Sequence, residues 1–229
     1  MALLHGQNKI VVNGLVMFVD ARNHRSYPGS GTTWTDLSGN GNNLTLTNSP
    51  TWYSSGYFST GSTGYFTGAG TASIPTGNSN YTMMVWGRQN TSWGSAKGII
   101  SIGGYGTQHQ SNALRTQTNT NVGNFHHYWW GNDLSANNNN GGLGVSTWFM
   151  VTAQFDGTNR RVWANTTNVA SDTPSSHNVT STTIQVGVTY IPSSEYFQGD
   201  IAMAMIYNRA LTSTEILQNF NALRRRFSL

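Results

Sequence analysis

Turn-forming residues punctuate this 229-residue chain at short intervals, and runs of β-type residues lie between them. This spacing predicts an all-β sandwich or barrel, because runs of roughly 4–8 residues suit strands and are too short for stable helices. The Asp156-Gly157 pair stands between two alternating runs, which is the strongest short-range signal for a hairpin. The predicted strands are Gly14–Ala21, Leu44–Thr47, Gly64–Thr67, Tyr81–Arg88, Gly98–Ile102, Asn112–Gln117, Asn124–Gly131, Thr147–Asp156, Asn159–Asn165, Thr182–Val188 and Tyr196–Asn208.

The polar residues of the chain are mostly uncharged, since only 9% of all residues carry a charge, whereas globular domains have roughly 25%. Two glutamates, Glu195 and Glu215, are too few for a helix-rich protein. The 8 Trp, 10 Tyr and 9 Phe residues exclude a disordered chain. Without cysteine, the chain has no disulfide scaffold, thiol chemistry or cysteine zinc site.

The formal net charge of +4 is concentrated near the C-terminal end, where Arg224, Arg225 and Arg226 supply three charges. We expect these arginines in the last turn of a terminal helix, where they complement its dipole. No basic stripe is interleaved with aromatic residues, so we expect no nucleic-acid partner. No apolar run approaches the ~20 residues of a membrane span. The first nine residues lack the pattern of a secretory signal, so we expect a soluble chain without a leader.

One helix is well marked near the end of the chain. The segment Thr212-Ser-Thr-Glu215 has the pattern of a capping box, in which the two outer side chains satisfy each other's free backbone amides. The apolar residues that follow share one helix face and are Ile216, Leu217, Phe220 and Leu223. We expect this short helix to pack against the sandwich.

Two predicted strands have unusual faces. In the segment 201–207 one face carries Ala202, Ala204 and Ile206, and the other carries Ile201, Met203, Met205 and Tyr207. Both faces are apolar, so this strand is either central and covered on both sides or lies at a subunit contact. In the segment 124–131 one side carries Phe125, His127 and Trp129, and the other side carries aromatic residues as well. One side can fill the core, and the other must be exposed, lie in a groove or meet a partner.

The two ends of the chain resemble laminin-G-like, concanavalin-A-like jelly-roll domains. The opening segments are Gly14-Leu-Val-Met-Phe-Val-Asp20-Ala and Ser26-Tyr-Pro-Gly-Ser-Gly-Thr-Thr-Trp34-Thr-Asp36; the closing ones are Tyr196-Phe-Gln-Gly-Asp-Ile201, Ile206-Tyr-Asn-Arg-Ala-Leu-Thr212 and Glu215-Ile-Leu-Gln-Asn-Phe-Asn-Ala222. The amino-acid sequences of these segments are similar to those of such domains in virion proteins of tailed bacteriophages. The resemblance implies an all-β jelly-roll sandwich with one short C-terminal helix, formed by residues 14–229, with residues 1–13 as an attachment arm.

The fold named by this resemblance occurs in lectins, glucanases and structural subunits. Its glucanases carry a Glu-x-Asp-x-x-Glu run, and no such run is present here. The helix cap already uses Glu215, Glu195 stands alone, and the Gly-x-Ser-x-Gly motif of a nucleophile elbow is absent. We therefore expect no catalytic residues and no enzyme activity.

The same resemblance raises the question of a structural calcium ion. Alignment through Phe197-Gln-Gly199 puts Ala202 where the family has its acidic ligand. Asp36, Asn40 and Asp200 could still supply oxygen ligands, but turn capping by Asp and Asn is the better interpretation. We expect no cofactor.

Glycan binding is the non-enzymatic role that the resemblance implies most often. Aromatic rings stack on the C–H faces of sugars, and amides bind their hydroxyls. The candidates are His126, Tyr128 and Trp130, with Trp86 and Arg88 from another strand. The alternative is that these side chains belong to the core or to a subunit interface, where Tyr and Trp are also enriched.

These inferences predict a non-catalytic virion surface protein of a bacteriophage, as a capsid decoration or a fibre-like appendage subunit. It would be made in the host cytoplasm and bind other virion proteins, with host surface glycans as a further expected ligand. The two-sided apolar strand and the exposed aromatic residues suggest a homo-oligomer, for example a trimer. A dedicated lectin for host attachment is the alternative, and a glycoside hydrolase ranks below both.

Overall fold

The computed structural model describes residues 9–92, 95–119, 122–136, 143–175, 177–191 and 195–229. Sixteen strands, one α-helix and a 3₁₀ turn are found there, which confirms the predicted all-β class. The strands are β1 Leu15–Asp20, β2 Thr33–Trp34, β3 Leu44–Thr47, β4 Thr51–Tyr53, β5 Tyr57–Ser59, β6 Tyr65–Gly68, β7 Tyr81–Gln89, β8 Lys97–Gly103, β9 Ser111–Asn119, β10 Val122–Tyr128, β11 Leu134–Ser135, β12 Trp148–Phe155, β13 Arg160–Ala164, β14 Thr167–Asp172, β15 Ile184–Val186 and β16 Gly199–Tyr207.

All eleven predicted strands correspond to observed ones. The predicted hairpin is also present, because β12 and β13 pair antiparallel on either side of Asp156-Gly157. The strands that the sequence did not reveal are β2, β4, β5, β11 and β14. Four of these have two or three residues, and a run of that length shows no measurable alternation.

The strands form two antiparallel sheets that face each other. The first sheet has the order β14-β13-β12-β7-β16-β5-β4, and β1 pairs with β16 beside β5. The second sheet has the order β11-β10-β9-β8-β15-β6-β3-β2. The main core lies between them and contains large buried side chains such as Trp34, Phe58, Phe66, Phe125 and Phe149.

Strand β16 is central and covered on both sides, so the first of the two predicted alternatives is correct. Ile201, Ala204 and Ile206 point into the main core, while Met203 and Met205 belong to a second apolar cluster on the outer face of the first sheet. The pairing of β16 with β7 shifts register between Ile201 and Met203. This irregularity reverses the predicted faces at the start of the strand.

The helix α1, Ser213–Leu223, covers that outer face. The predicted capping box is present: Thr212 Oγ1 accepts from the Glu215 backbone N–H at 3.2 Å, and Glu215 Oε2 accepts from the Thr212 N–H at 2.8 Å. Ile216 is fully buried under the helix. Leu217, predicted to share its apolar face, is 45% exposed.

The three consecutive arginines lie beyond α1 and not in its last turn. They belong to a 3₁₀ turn, Arg224–Phe227. Arg226 Nη1 donates to Asp20 Oδ1 at 2.6 Å and pairs with it. The expectation that these arginines complement the helix dipole is therefore wrong, because an ion pair with the end of β1 holds Arg226.

Part of the predicted N-terminal arm packs against the helix. The Val11 N–H donates to Asn219 Oδ1 at 2.7 Å, and the Tyr207 hydroxyl donates to the Val11 carbonyl at 2.9 Å. Residues 1–8 lie outside the described part of the chain, and the domain boundary at residue 13 stays a prediction. Within the described residues, no helix is long and apolar enough to span a bilayer.

Candidate functional site

The candidate site lies on the outer face of the second sheet, where β9 and β10 run side by side. Phe125, His127 and Trp129 are fully buried on the inner side, as the alternation predicts. His126 and Tyr128 point to the outer side, yet they are only 2% and 7% exposed. Their rings are therefore covered from within the chain and are not themselves open to solvent.

Arg115 on β9 provides that cover. Its guanidinium carbon lies 3.6 Å from the centre of the Tyr128 ring, and its Nε donates to His126 Nδ1 at 3.0 Å. Its Nη1 also donates to both carboxylate oxygens of Glu195, at 2.9 and 2.8 Å. A charge-assisted contact of this kind is among the stronger hydrogen bonds in proteins, so it anchors the 195–198 segment over the sheet.

This overlying segment can approach the sheet because Gly98 on β8 has no side chain. A Cβ atom at Gly98 would lie 1.8 Å from the Thr189 backbone nitrogen and 2.0 Å from the Val188 carbonyl carbon. The Gly98 N–H also donates to the Glu195 carbonyl at 2.9 Å. The glycine thus determines how closely residues 188–189 and 195–196 pass over the sheet.

Three aromatic side chains form a stack beside Arg115, which we call the aromatic platform: Tyr105, Trp130 and Tyr190. Tyr105 lies in the middle, with ring centres 4.3 Å from Trp130 and 3.4 Å from Tyr190 and interplanar angles of 14° and 8°. Tyr105 is 41% exposed, and the other two rings are half-buried. Both faces of the Tyr105 ring are thus covered by its neighbours, and its exposed part is the ring edge.

Trp130 reaches the platform because the chain leaves the strand before it. Strand β10 ends at Tyr128, and Trp130 has φ of 49°, in the left-handed region. A non-glycine residue in that region stores local strain of the order of 1 kcal/mol, which the neighbouring contacts must offset. The predicted strand residue is thus a loop residue, and it does not follow the strand alternation.

The neighbouring Trp129 is the main support of that loop. Its indole ring lies between His177, stacked at 3.8 Å and 7°, and the guanidinium of Arg160 at 4.4 Å. Its Nε1–H is directed at Tyr81 Oη and Asn112 Oδ1, at 3.0 and 2.9 Å. The rigid core position of Trp129 fixes where the next residue, Trp130, emerges.

Burial changes the protonation of the histidines around this site. The pKa of His126 is lowered to about 3, first by burial and then by the nearby charges of Arg115 and Arg160. Burial is also the main cause that lowers the pKa of His177 to about 4. Both rings are neutral at physiological pH, and the Arg115 guanidinium, together with Glu195 and Asp133, supplies the charge on this face.

The structure does not bring Trp86 and Arg88 to this face. They lie on β7, in the other sheet, and Trp86 is fully buried between Phe220 and Phe227 at ring distances of 5.6 and 4.5 Å. Arg88 Nε donates to Asp200 Oδ2 at 2.8 Å. The Trp86 ring is therefore covered by the C-terminal segment and cannot join the platform.

The candidate calcium ligands have other partners. Asp36 caps a turn, because its Oδ1 accepts from the backbone N–H groups of Phe18 and Ser38, at 2.8 and 2.9 Å. Asn40 Nδ2 donates to Ser38 Oγ at 3.0 Å, and Asp200 is paired with Arg88. Among the described residues no group of three metal-binding side chains occurs. Protein donors thus already engage carboxylate oxygens of Asp36 and Asp200.

Most carboxylates of the molecule likewise have partners within the protein. Six of the eight form ion pairs with arginines, and Asp133 lies 3.9 Å from His126 Nε2. Glu215, predicted to serve the helix cap, also binds Arg209 at 2.6 Å. The glutamate that stood alone in the sequence, Glu195, is the partner of Arg115.

Sequence reasoning missed Tyr105, Tyr190, Arg115 and Glu195. Tyr105 and Tyr190 come from two glycine- and serine-rich loops, and nothing in their local pattern distinguishes them from other loop tyrosines. The available signal for the ion pair was Glu195, which stands alone in the sequence, and Arg115, which faces outward on a predicted strand.

Comparison with known families identifies the superfamily. The laminin G model of the concanavalin A-like lectin/glucanases superfamily matches residues 60–217, and the chain belongs to this superfamily. Comparison with curated protein sequences found no match. The expected concanavalin-A-like jelly-roll fold is thereby confirmed.

Solved structures with the same fold include sialidases and toxin domains. Trypanosoma rangeli sialidase in complex with 2,3-difluorosialic acid is similar with a TM-score of 0.69 and 13% identity, over 94% of this chain and 34% of that chain. The binding domain of botulinum neurotoxin serotype G has a TM-score of 0.61 and 15% identity, over 90% and 50%. The binding domain of Paraclostridial Mosquitocidal Protein 1 has a TM-score of 0.62 and 13% identity, over 91% and 52%. The chain thus spans about a third to a half of these proteins.

Proposed function

We propose that this protein is a non-catalytic glycan-binding domain and that its sugar site is the aromatic platform. The observation that carries the proposal is the solvent-facing stack of Tyr105, Trp130 and Tyr190 on the outer face of the second sheet. The C–H groups of a sugar ring would pack on the outer face of Trp130, which ends the stack, and the hydroxyls of the sugar need polar partners. The membership of a superfamily that includes lectins supports this assignment.

The polar partners lie at the edge of the platform. Arg115 and Glu195 form an ion pair whose side chains are 10% and 24% exposed, and the Asp133 side chain is 29% exposed. Each offers charged donors or acceptors to hydroxyls, and hydrogen bonds to charged groups are worth about 1.5–3 kcal/mol. Because the pair is already formed, a sugar would meet an organised site.

The engagement of the carboxylates supports a binding role over catalysis. A glycosidase uses one carboxyl group as a proton donor and another as nucleophile or base. Both oxygens of Glu195 accept from Arg115, and Asp133 Oδ1 accepts from the Trp129 backbone N–H at 2.9 Å. These two carboxylates therefore hold the site together.

The setting of this glycan-binding domain is the surface of a tailed-bacteriophage virion, as capsid decoration or as a fibre-like appendage subunit. This part of the proposal rests on the resemblance of Tyr27-Pro-Gly-Ser-Gly31 and Asn219-Phe-Asn-Ala222 to virion proteins. The protein is made in the host cytoplasm, and it binds other virion proteins at the virion surface. Mass spectrometry and immunogold labelling of purified particles test this setting, and absence from particles contradicts it.

One of the two observations that suggested a homo-oligomer, for example a trimer, no longer supports it. The apolar outer face of β16 is covered by α1 and needs no second subunit. Of the aromatic residues that motivated this expectation, His126 and Tyr128 are covered from within the chain, and Trp130 is half-buried. Light scattering at high concentration tests it, and a monomer would contradict it.

A glycan array with labelled protein tests the sugar site. We expect binding to at least one glycan, which Trp130→Ala weakens by about tenfold or more because it removes the outer ring of the stack. Trp163→Ala is the matched control, since Trp163 is a half-buried tryptophan of the first sheet. Equal loss in both variants, or unchanged binding by Trp130→Ala, would contradict the assignment. Cleavage of a bound polysaccharide would overturn the non-catalytic part.

A further inference from the structure

A second surface of this protein carries three of its six lysines and arginines that form no ion pair with an aspartate or glutamate in the described structure. Six arginines form ion pairs with carboxylates. Arg22, Arg25 and Arg225 are exposed and form no ion pair with any residue that the structure describes. These three therefore supply a large share of the formal net charge of +4.

The three arginines come from two segments that meet at one ion pair. Arg22 and Arg25 belong to the turn after β1, which is held by hydrogen bonds from the Arg22 and Arg25 N–H groups to Asp20 Oδ1 and Asn23 Oδ1, at 2.9 and 3.0 Å. Arg225 belongs to the 3₁₀ turn, whose next residue, Arg226, pairs with Asp20 at 2.6 Å. The turn after β1 and the 3₁₀ turn are thus joined at Asp20.

Gly56, in the turn of the β4–β5 hairpin, lies against this meeting point. A Cβ atom at Gly56 would be 2.5 Å from the Cβ of Arg22 and 2.7 Å from Nη2 of Arg226. The Gly56 carbonyl also accepts a hydrogen bond from Arg226 Nη2. The close approach requires glycine and brings the hairpin into direct contact with the arginines.

The hairpin adds aromatic and hydroxyl groups to the charge. Tyr53 and Tyr57 stack with ring centres 4.9 Å apart and an interplanar angle of 19°, and Tyr53 is 45% exposed. Between them, Ser54 and Ser55 are exposed. The turn after β1, this hairpin and the 3₁₀ turn thus adjoin. We call five of their side chains the basic-aromatic patch: Arg22, Arg25, Tyr53, Tyr57 and Arg225.

We propose that the basic-aromatic patch is a second ligand site and that it binds an acidic polysaccharide. Guanidinium groups bind carboxylate, sulfate or phosphate groups through paired donors, while a tyrosine face packs on the sugar ring. The arginines come from two adjoining turns, whereas proteins that bind single-stranded nucleic acid track its backbone with charge along a groove. The patch lies on the hairpin β4–β5 of the first sheet and is independent of the aromatic platform.

Binding of dextran sulfate, with uncharged dextran as the reference, tests this proposal. We expect the intact protein to bind dextran sulfate and not dextran. Arg22→Ser/Arg25→Ser should weaken dextran sulfate binding about tenfold and reduce the slope of log affinity against log salt by about two, because each arginine releases one counterion on binding. Tyr53→Ala should weaken binding and leave that slope unchanged.

A matched variant separates local contacts from net charge. Lys9→Gln/Arg161→Gln removes two positive charges elsewhere, and it should keep the affinity within about twofold. Trp130→Ala should also leave dextran sulfate binding intact, so a failure of the platform hypothesis does not affect this result. Equal weakening by both charge variants, no binding of dextran sulfate, or tighter binding of an oligothymidylate of equal charge would each overturn the proposal.

Discussion

Arg115 and Glu195 join the two parts of the candidate site that lie farthest apart in sequence. The Arg115 Nη1 group donates to both Glu195 oxygens at 2.9 and 2.8 Å, while the same guanidinium lies 3.6 Å above the ring of Tyr128. One side chain therefore connects the outer face of the second sheet to the segment that crosses it.

The first prediction concerns the strength of this connection. Arg115→Met should lower the free energy of unfolding by about 3 kcal/mol, because it removes the guanidinium that binds both carboxylate oxygens of the partly buried Glu195. Glu195→Gln should cost about 1–2 kcal/mol, since the amide retains one acceptor. In urea unfolding, the double variant should cost at least about 1 kcal/mol less than the sum of the single ones. Additive costs would show that the two groups are not coupled.

The second prediction concerns pH. The pKa of His177 is about 4 in the folded protein against an ordinary 6.5, because burial disfavours the imidazolium. The unfolded chain then binds more protons than the folded one between these values, so stability is complete above pH 6.5 and is lost as the pH falls toward 4. His126, with a pKa of about 3, acts in the same direction.

As the pH falls from 7 to 4.5, each of these histidines should lower the free energy of unfolding by about 2 kcal/mol. The pKa of Glu215 is lowered to about 2, mainly by its hydrogen bond with Arg209. Protonation of such carboxylates lowers the free energy of unfolding mostly below pH 4.5, outside the window of the histidines. Urea unfolding of His177→Gln should show a pH dependence smaller by about 2 kcal/mol. The exposed residue His24 provides the control, His24→Gln. An unchanged pH dependence in His177→Gln would refute this explanation.

The third prediction concerns Gly98. Gly98→Ala places a methyl group 1.8 Å from the Thr189 backbone nitrogen, so the crossing segment must move. We expect a stability loss of about 3 kcal/mol or more and a loss of glycan binding, because Tyr190 belongs to that segment. Gly104→Ala, where the methyl group meets nothing within 4 Å, should change neither property. Native binding by Gly98→Ala would contradict the described path of residues 188–191 and 195–196.

The fourth prediction concerns the helix that covers the first sheet. Thr212→Ala removes the side chain that accepts from the Glu215 N–H at 3.2 Å and should cost about 1 kcal/mol. Thr214→Ala is the matched control, because Thr214 is exposed and lies inside the helix, where alanine is tolerated or preferred. Equal stability of the two variants in thermal unfolding would show that the capping box contributes little.

The local pattern of the sequence predicted the strands and the capping box well, because alternation and capping depend on neighbouring residues. The faces of β16 were misassigned at Ile201, since a register shift within the strand leaves no trace in the alternation. The position of Arg226 was also wrong, because its partner Asp20 is far away in sequence and belongs to the first strand.

The candidate site was predictable only in part for the same reason. Trp130 was recognised from its aromatic neighbourhood, but its stacking partners Tyr105 and Tyr190 come from loops whose paths depend on the whole fold. Trp86 has the same residue type as Trp130, and its burial follows from the docking of Phe227 after the helix. Residue type alone could not separate a platform tryptophan from a core tryptophan.

The most direct test of the glycan-binding proposal is a titration of ¹⁵N-labelled protein with the best glycan from the array, followed through the indole N–H signals. The chain has 8 Trp residues, and Trp130→Phe identifies the signal of Trp130. We predict that this signal shifts in a saturable manner, while the signal of Trp34, which is fully buried in the main core, stays in place. A saturable shift of other indole signals with that of Trp130 unchanged would contradict the assignment of the aromatic platform as the sugar site.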